Sequence, residues 1–469
     1  MNRYKKLFSN TVILSVGTLG SKLLVFLLMP LYTAWMTTAQ YGAAEVITSI
    51  ANFLIPVACV GVSTGIFRFA AGKDADHKEV FSSSVILLFA GLGIFLLLSP
   101  LLLLIDYCRP YLWLIVGYVF FADIQAVCAQ YLRAIDRTTL FAGQGIFNTV
   151  VTILFNILFL SCLHWGVYGY ILSVILGNVL TTGFLLLRAK LWREFSFSSV
   201  RKETVWELLR FSLPMIPTTV CWLITDLSDR SMVTAFCGED INGIYSAAYK
   251  IPTIVNLTAG IFLQAWQFSA VAESEDRETC SRFYERVFSG FLSLVMIGSA
   301  LLILLSRFLS ALLLRNAFFE AWRYMPTLLC AAAVEALVSF LASVYLVQKK
   351  TMHSFLTALV GAGGNIVLNL LLIPRMGALG AAVATLASYA VVLLLRLWDV
   401  PRLLPFGTCR LRMFCSILLL FAAAFVMTAD VPGRGILCAL LAAVTVAVNA
   451  PALLRGCRGL LSFRKGRQK

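Results

Sequence analysis

The stretch FNTVVTILFNILFLSCLHWGVYGYILSVILGNVL (147–180) decides the fold, because it returns as VGAGGNIVLNLLLIPRMGALGAAVATLASYAV (360–391). Each copy is a long apolar run, a short turn and a second long apolar run. That pattern predicts a hairpin of two bilayer-length helices. Asn156 aligns with Asn369, and Gly166-x-x-Gly169 aligns with Gly377-x-x-Gly380. Asp136-Arg137-Thr138 and Lys349-Lys350-Thr351 precede the two copies. Upstream, Phe8-Ser9 parallels Phe211-Ser212 and Tyr41-Gly42 parallels Asn242-Gly243 at nearly the same offset. One Gly-x-x-Gly reads simply as a tight turn with close helix packing, which membrane helices favour. Two in register, each behind a matched Asn-bearing helix, predict an internal duplication.

Composition sets the environment for these hairpins. The chain has 469 residues, of which 60% are apolar and 13% charged. Its mean hydropathy is +0.88. A soluble domain is about 45–50% apolar and about 25% charged. A disordered chain, a collagen, a disulfide scaffold and a nucleic-acid-binding globule are excluded, and a polytopic membrane protein remains. The net charge of +15 then reflects orientation rather than nucleic acid. The 12 cysteines include no CxxC, and Cys59, Cys128, Cys221, Cys330 and Cys438 read as small buried hydrophobes. MNRYKK leads into an apolar run without a small-residue cleavage site, which predicts a retained first helix.

Fourteen segments are long and apolar enough to span. They run approximately 9–34, 42–67, 81–104, 111–132, 139–161, 167–187, 211–235, 244–270, 287–306, 325–347, 353–373, 377–395, 413–429 and 435–454. With the N-terminus inside, most of the 38 Lys and Arg residues fall in the N-terminus, the cytoplasmic loops and the C-terminus. That bias predicts both termini in the cytoplasm and an even number of spans. The duplication then gives two six-helix lobes, 1–195 and 200–398, with an extra helix pair at 411–454 and a basic cytoplasmic tail at 455–469. An even number of helices per lobe makes the repeat parallel, with a pseudo-two-fold axis along the membrane normal. The expected fold is therefore an all-α polytopic membrane protein. No loop has room for a soluble catalytic domain, and no GxxxxGK[ST] occurs.

Ionisable residues inside a span cost about 2.5–3.5 kcal/mol each, so they mark cavities or partners. Lys22, Asp123, Asp226, Asp229, Arg230, Lys250 and Glu335 are in this class, with Glu45 and Arg68 near span ends. Asp226 and Asp229 share one helix face in TDLSDRSM, and Arg230 lies one turn beyond Asp226. A local Asp226–Arg230 pair and a polar face turned to a central cavity both fit. Lys22 falls opposite Asp226 in the repeat register and is too deep to snorkel easily, which favours a cavity-facing cation. Arg68 fits an interfacial anchor or the mouth of that cavity. Asp123 and Glu335 are single acids for which an interhelical hydrogen bond is the simpler reading and a proton or cation site the alternative. His77, His164 and His353 are too scattered to suggest a metal site. Asp74-Ala-Asp76 reads as a solvated loop rather than a sugar-nucleotide motif.

NTVILSVGTLGSKLLVFLLMPLYTAWMTTAQYG with ANFLIPVACVGVSTGIFRF, then SDRSMVTAFCGEDINGIYSAAYKIPTIV and GALGAAVATLASY, resembles the polysaccharide-biosynthesis flippases. These belong to the multidrug/oligosaccharidyl-lipid/polysaccharide exporter superfamily. The resemblance implies two six-helix lobes around a central cavity. It also implies movement of an undecaprenyl-pyrophosphate-linked oligosaccharide from the inner to the outer leaflet of the bacterial cytoplasmic membrane. No cofactor and no catalytic residue are implied. The partners implied are the polyprenyl-pyrophosphate-linked glycan, membrane lipids and polysaccharide assembly proteins. In the lipid II branch, cavity arginines hold the pyrophosphate. That role carries to Arg230 at the matching Asp-Arg, to Lys22 by charge type and to Arg68 by position. Asp229, Asp226, Asp123 and Glu335 remain for ion coupling or cavity pairing. A cation-coupled multidrug exporter of the same fold and a lipid II flippase stay open, although drug extruders of this superfamily typically have twelve helices.

Overall fold

A computed structural model describes residues 28–71, 76–272, 277–348, 350–429 and 432–466. All regular structure among them is helical. The chain divides into two compact units, Met1–Ser231 and Met232–Lys469.

The first unit contains α1 (Met29–Trp35), α2 (Thr38–Ala58), α3 (Val62–Ala70), α4 (His77–Leu98), α5 (Leu112–Ala134), α6 (Thr138–Asn156), α7 (Gly166–Ala189) and α8 (Lys202–Ser212). Helix α9 (Ile216–Cys237) begins in it and crosses the division. Helix α2 starts at a capping box. Thr37 Oγ1 accepts from the Gln40 amide at 3.2 Å, and the Thr37 amide donates to Gln40 Oε1 at 3.1 Å. It stops at Ala58, where Val60 and Gly61 turn the chain into α3. The single span expected over 42–67 is therefore a longer helix followed by a short one. Asp76 caps α4 by accepting from the Lys78 and Glu79 amides, which gives this loop acid a structural task.

The second unit contains α10 (Glu239–Tyr249), α11 (Pro252–Ala272), α12 (Arg277–Leu313), α13 (Met325–Val347), α14 (Thr351–Met376), α15 (Ala378–Leu403), α16 (Arg410–Thr428) and α17 (Arg434–Gly466). The eighth expected span is two helices, because Pro252 cannot continue the ladder from α10.

Among the described residues, 11 helices are long and apolar enough to cross a membrane, which makes this a multi-pass membrane protein. Three of the fourteen expected spans are not among them. The first lies largely outside the described residues. The seventh is α9, whose middle carries Asp226, Asp229 and Arg230. The eighth is the divided α10–α11. Leu97, Leu104, Trp113, Leu187, Leu418 and Phe425 are exposed. In water such a surface would aggregate; in a bilayer it faces acyl chains at no cost.

The two Gly-x-x-Gly turns are built alike. Gly166 (φ 51°) and Gly377 (φ 62°) both occupy left-handed backbone between two long helices. Three residues after each turn glycine, in the first turn of the second helix, the next glycine lets the helices touch. A Cβ on Gly169 would lie 2.9 Å from Phe159 Cβ, and one on Gly380 would lie 2.5 Å from the Leu372 carbonyl oxygen. The Leu372 contact is backbone and cannot step aside. Gly380→Ala should therefore destabilise by about 1–3 kcal/mol, the usual cost of overpacking. A Cβ on Gly363, in the same hairpin, meets nothing within 4 Å. Thermal unfolding in detergent should drop for Gly380→Ala and hold for Gly363→Ala; equal behaviour of the two would refute the packing argument.

Candidate functional site

The first unit encloses a polar cluster built from six helices. Its centre is Glu45 on α2, 3% exposed. The capping box places the start of α2 at Thr38, so Glu45 sits two turns inside the helix rather than at the end of a span. One turn on, Ser49 Oγ donates to the Glu45 carbonyl at 2.8 Å. Arg230, from α9, reaches both residues. Its Nη1 donates to Ser49 Oγ at 3.0 Å, and its Nη2 lies 3.7 Å from Glu45 Oε2. The Arg230 side chain is 13% exposed.

Tyrosines surround the other carboxylate oxygen. Tyr170 Oη, on α7, donates to Glu45 Oε1 at 3.4 Å. The Tyr170 ring meets Tyr32 of α1 at 5.1 Å and Tyr41 of α2 at 6.2 Å, both edge to face. Asn156, at the end of α6, donates to Tyr32 Oη at 3.0 Å. Tyr118 of α5 reaches Asn52 Oδ1 at 3.5 Å. A buried carboxylate and a guanidinium are tolerable in hydrocarbon because this shell supplies charge and hydrogen bonds. Among the described residues the cluster offers one nearly buried cation, Arg230, with oriented hydroxyls beside it, which suits an anionic oxygen.

The expected site residues are only partly brought together. Arg230 is in the cluster, and its partner across the fold is Glu45. Asp229 is buried, and Asp226 is half-buried one turn earlier on α9. Lys22 lies outside the described residues. Arg68, at the end of α3, is exposed and sits over the Phe211 ring at 4.8 Å, apart from the Glu45 cluster. Glu335 makes the expected interhelical bond, accepting from Asn256 Nδ2 at 2.8 Å between α13 and α11. Asp123, on α5, differs from the simpler expectation. It is 1% exposed, and among the described residues no nitrogen or oxygen group hydrogen-bonds to its carboxyl oxygens. The Cys59 thiol lies beside it.

Two polar residues escaped the sequence reading. One is Glu45, which hydropathy puts near a span end; the Thr37-x-x-Gln40 cap is the sequence signal that moves the helix start back to Thr38. The other is Arg396, just beyond the twelfth expected span, 377–395. Helix α15 runs on to Leu403, and Arg396 is wholly buried. Its Nη1 donates to the Val338 carbonyl at 2.7 Å, and its Nε and Nη2 reach Thr357 Oγ1 at 3.1 and 3.0 Å. The adjoining Tyr345 Oη donates to Asp399 Oδ2 at 2.8 Å, which also meets His353 Nδ1 at 2.8 Å. This second cluster ties α13, α14 and α15 together.

Comparison with known proteins agrees with the helical architecture. The fold is similar to that of lipid II flippase MurJ in an inward closed conformation, with a TM-score of 0.73 at 16% identity, covering 95% of this chain and 99% of that one. It is also similar to an inward-facing MATE family multidrug resistance transporter of the MOP superfamily, with a TM-score of 0.66 at 15% identity, covering 83% of this chain and 98% of that one. In sequence the chain is 22% identical over 250 residues to the succinoglycan biosynthesis transport protein ExoT of Rhizobium meliloti (strain 1021). That match takes in 52% of this chain and about half, 49%, of the relative. The model of the polysaccharide biosynthesis protein family matches residues 7–268, more than half of the chain. By that match the chain belongs to the polysaccharide biosynthesis protein family.

Proposed function

We propose that this protein is a flippase that moves an undecaprenyl-pyrophosphate-linked oligosaccharide, a polysaccharide precursor, from the inner to the outer leaflet of the cytoplasmic membrane. The observation that carries the reading is Arg230, a nearly buried cation on α9 with Ser49 and Glu45 at its fork. A pyrophosphate diester carries about two negative charges and cannot cross hydrocarbon alone; charge-assisted hydrogen bonds from a guanidinium offset its lost hydration. Arg230 would grip the phosphates, assisted by Lys22 and, at the mouth, by Arg68. The sugars would travel in a wet chamber, and the polyprenyl tail would stay in lipid. Access would alternate through movement of two six-helix lobes, 1–195 and 200–398, with 411–454 as an added pair and 455–469 as a basic tail. Both termini would be cytoplasmic. Asp229, Asp226, Asp123 and Glu335 would serve ion coupling or pairing within the cavity. Transport rather than catalysis would be the whole activity, with polysaccharide assembly proteins as partners.

Membership of a polysaccharide biosynthesis family and the paired Arg230 favour this reading over a drug exporter, whose cationic cargo a guanidinium would repel. Native mass spectrometry of the purified protein separates the two. Undecaprenyl-pyrophosphate-linked oligosaccharide should bind, undecaprenol should bind far less, and tetraphenylphosphonium should not compete. Tight binding of tetraphenylphosphonium with none of the pyrophosphate lipid would refute the proposal.

A further inference from the structure

Arg230 does not wait in the membrane as a lone cation. Its Nη1 is hydrogen-bonded to Ser49, but its nearest approach to Glu45 is 3.7 Å, beyond the about 2.7–2.9 Å of a charge-assisted hydrogen bond. Glu45 is thus a counter-ion held at arm's length, with its second oxygen turned to the Tyr170 hydroxyl. The carboxylate has two stations, the guanidinium on one side and the Tyr170 and Tyr41 hydroxyls on the other. Among the described residues, the titratable and charged groups facing it are Tyr32 and Tyr41 from α1 and α2, Tyr118 from α5, Tyr170 from α7 and Arg230 from α9.

A flippase meets a release problem. A pyrophosphate diester stays ionised throughout the physiological pH range, so it cannot leave a buried arginine by taking a proton. Binding that helps entry must still be weak enough for exit. A carboxylate at the same fork solves this without any external agent. We propose that Glu45 is a resident counter-ion which the pyrophosphate displaces from Arg230 on binding, and which returns to Arg230 to expel it. The idea rests on the reading that Arg230 holds the pyrophosphate. Tyr170 is the holding point for the displaced carboxylate, and Ser49 keeps the guanidinium in place during the exchange.

The test measures binding and translocation of a fluorescent undecaprenyl-pyrophosphate-linked disaccharide by the full-length protein in nanodiscs and proteoliposomes. Glu45→Gln removes the competing charge and keeps the size. It should bind the probe at least tenfold more tightly and turn over more slowly, so that KM and kcat fall together. Arg230→Ala should bind weakly, and Glu45→Gln combined with Arg230→Ala should bind no better than Arg230→Ala alone. A purely structural Glu45 would instead lose binding and stability together, which would overturn the inference. So would unchanged affinity in Glu45→Gln beside weakened affinity in Arg230→Ala, although the proposed function would survive. Unchanged affinity in Arg230→Ala would overturn the phosphate reading itself. Should Glu45→Gln fail to fold, Glu45→Asp decides. It keeps the charge but draws it back from Arg230, and must bind the probe more tightly than wild type; equal or weaker binding overturns the exchange.

Discussion

Arg230→Ala should weaken binding of an undecaprenyl-pyrophosphate-linked glycan by about 10–100-fold. A hydrogen bond to a charged group contributes about 1.5–3 kcal/mol, and each 1.4 kcal/mol is about tenfold in affinity. Arg230→Lys should recover part of the loss, since it restores the charge but not the planar fork that reaches Ser49 and Glu45 together. The measurement is equilibrium binding in nanodiscs, with equal monodispersity confirmed first. Arg230→Ala with wild-type affinity would remove Arg230 from the site. Glu45 would also lose its partner in this variant, so some loss of stability is expected alongside the lost affinity.

Arg396→Ala should be the most destabilising single substitution outside the Glu45 cluster. The guanidinium is fully buried and joins three helices through Val338, Thr357 and the Tyr345 ring. Removing one member of such a buried charged network costs about 3–5 kcal/mol, because the groups it served are stranded. Arg396→Lys should restore only part of this, as an ammonium cannot span Val338 and Thr357 in one plane. Thermal denaturation followed by fluorescence-detected size exclusion gives the answer. A melting temperature within one or two degrees of wild type would mean that Arg396 contributes little to holding α13, α14 and α15 together.

Much of the architecture was legible because a bilayer imposes simple rules. A crossing helix must be long and apolar, so hydropathy alone located 11 such helices among the described residues. The Gly166 and Gly377 turns were visible as a repeat, and their shared left-handed backbone gives the spacing a physical cause. Helix ends were harder. Apolar character does not stop where a helix stops, and an end is set by caps and turns of a few residues. Thr37 and Gln40 fix the start of α2, Val60 and Gly61 its end, and Pro252 divides the eighth span. Thr37 and Gln40 put Glu45 two turns inside α2 rather than near a span end, and the run of α15 on to Leu403 puts Arg396 inside a helix, where it is buried. The site was legible in half. TDLSDRSM announced Arg230, but nothing in its neighbourhood of sequence identifies a partner 185 positions away on α2. Pairing between distant segments is a product of packing, and one sequence does not encode it in any local pattern.

The proposed carriage of a pyrophosphate-linked glycan across the membrane turns on Arg230. The most direct measurement is translocation in proteoliposomes, read as protection of a fluorescent undecaprenyl-pyrophosphate-linked oligosaccharide from membrane-impermeant dithionite. Vesicles holding wild-type protein should exchange the probe between leaflets much faster than empty vesicles. Vesicles holding Arg230→Ala at the same density should resemble empty ones. Wild-type vesicles that leave the probe where it was inserted, yet export a lipophilic cation, would contradict the account.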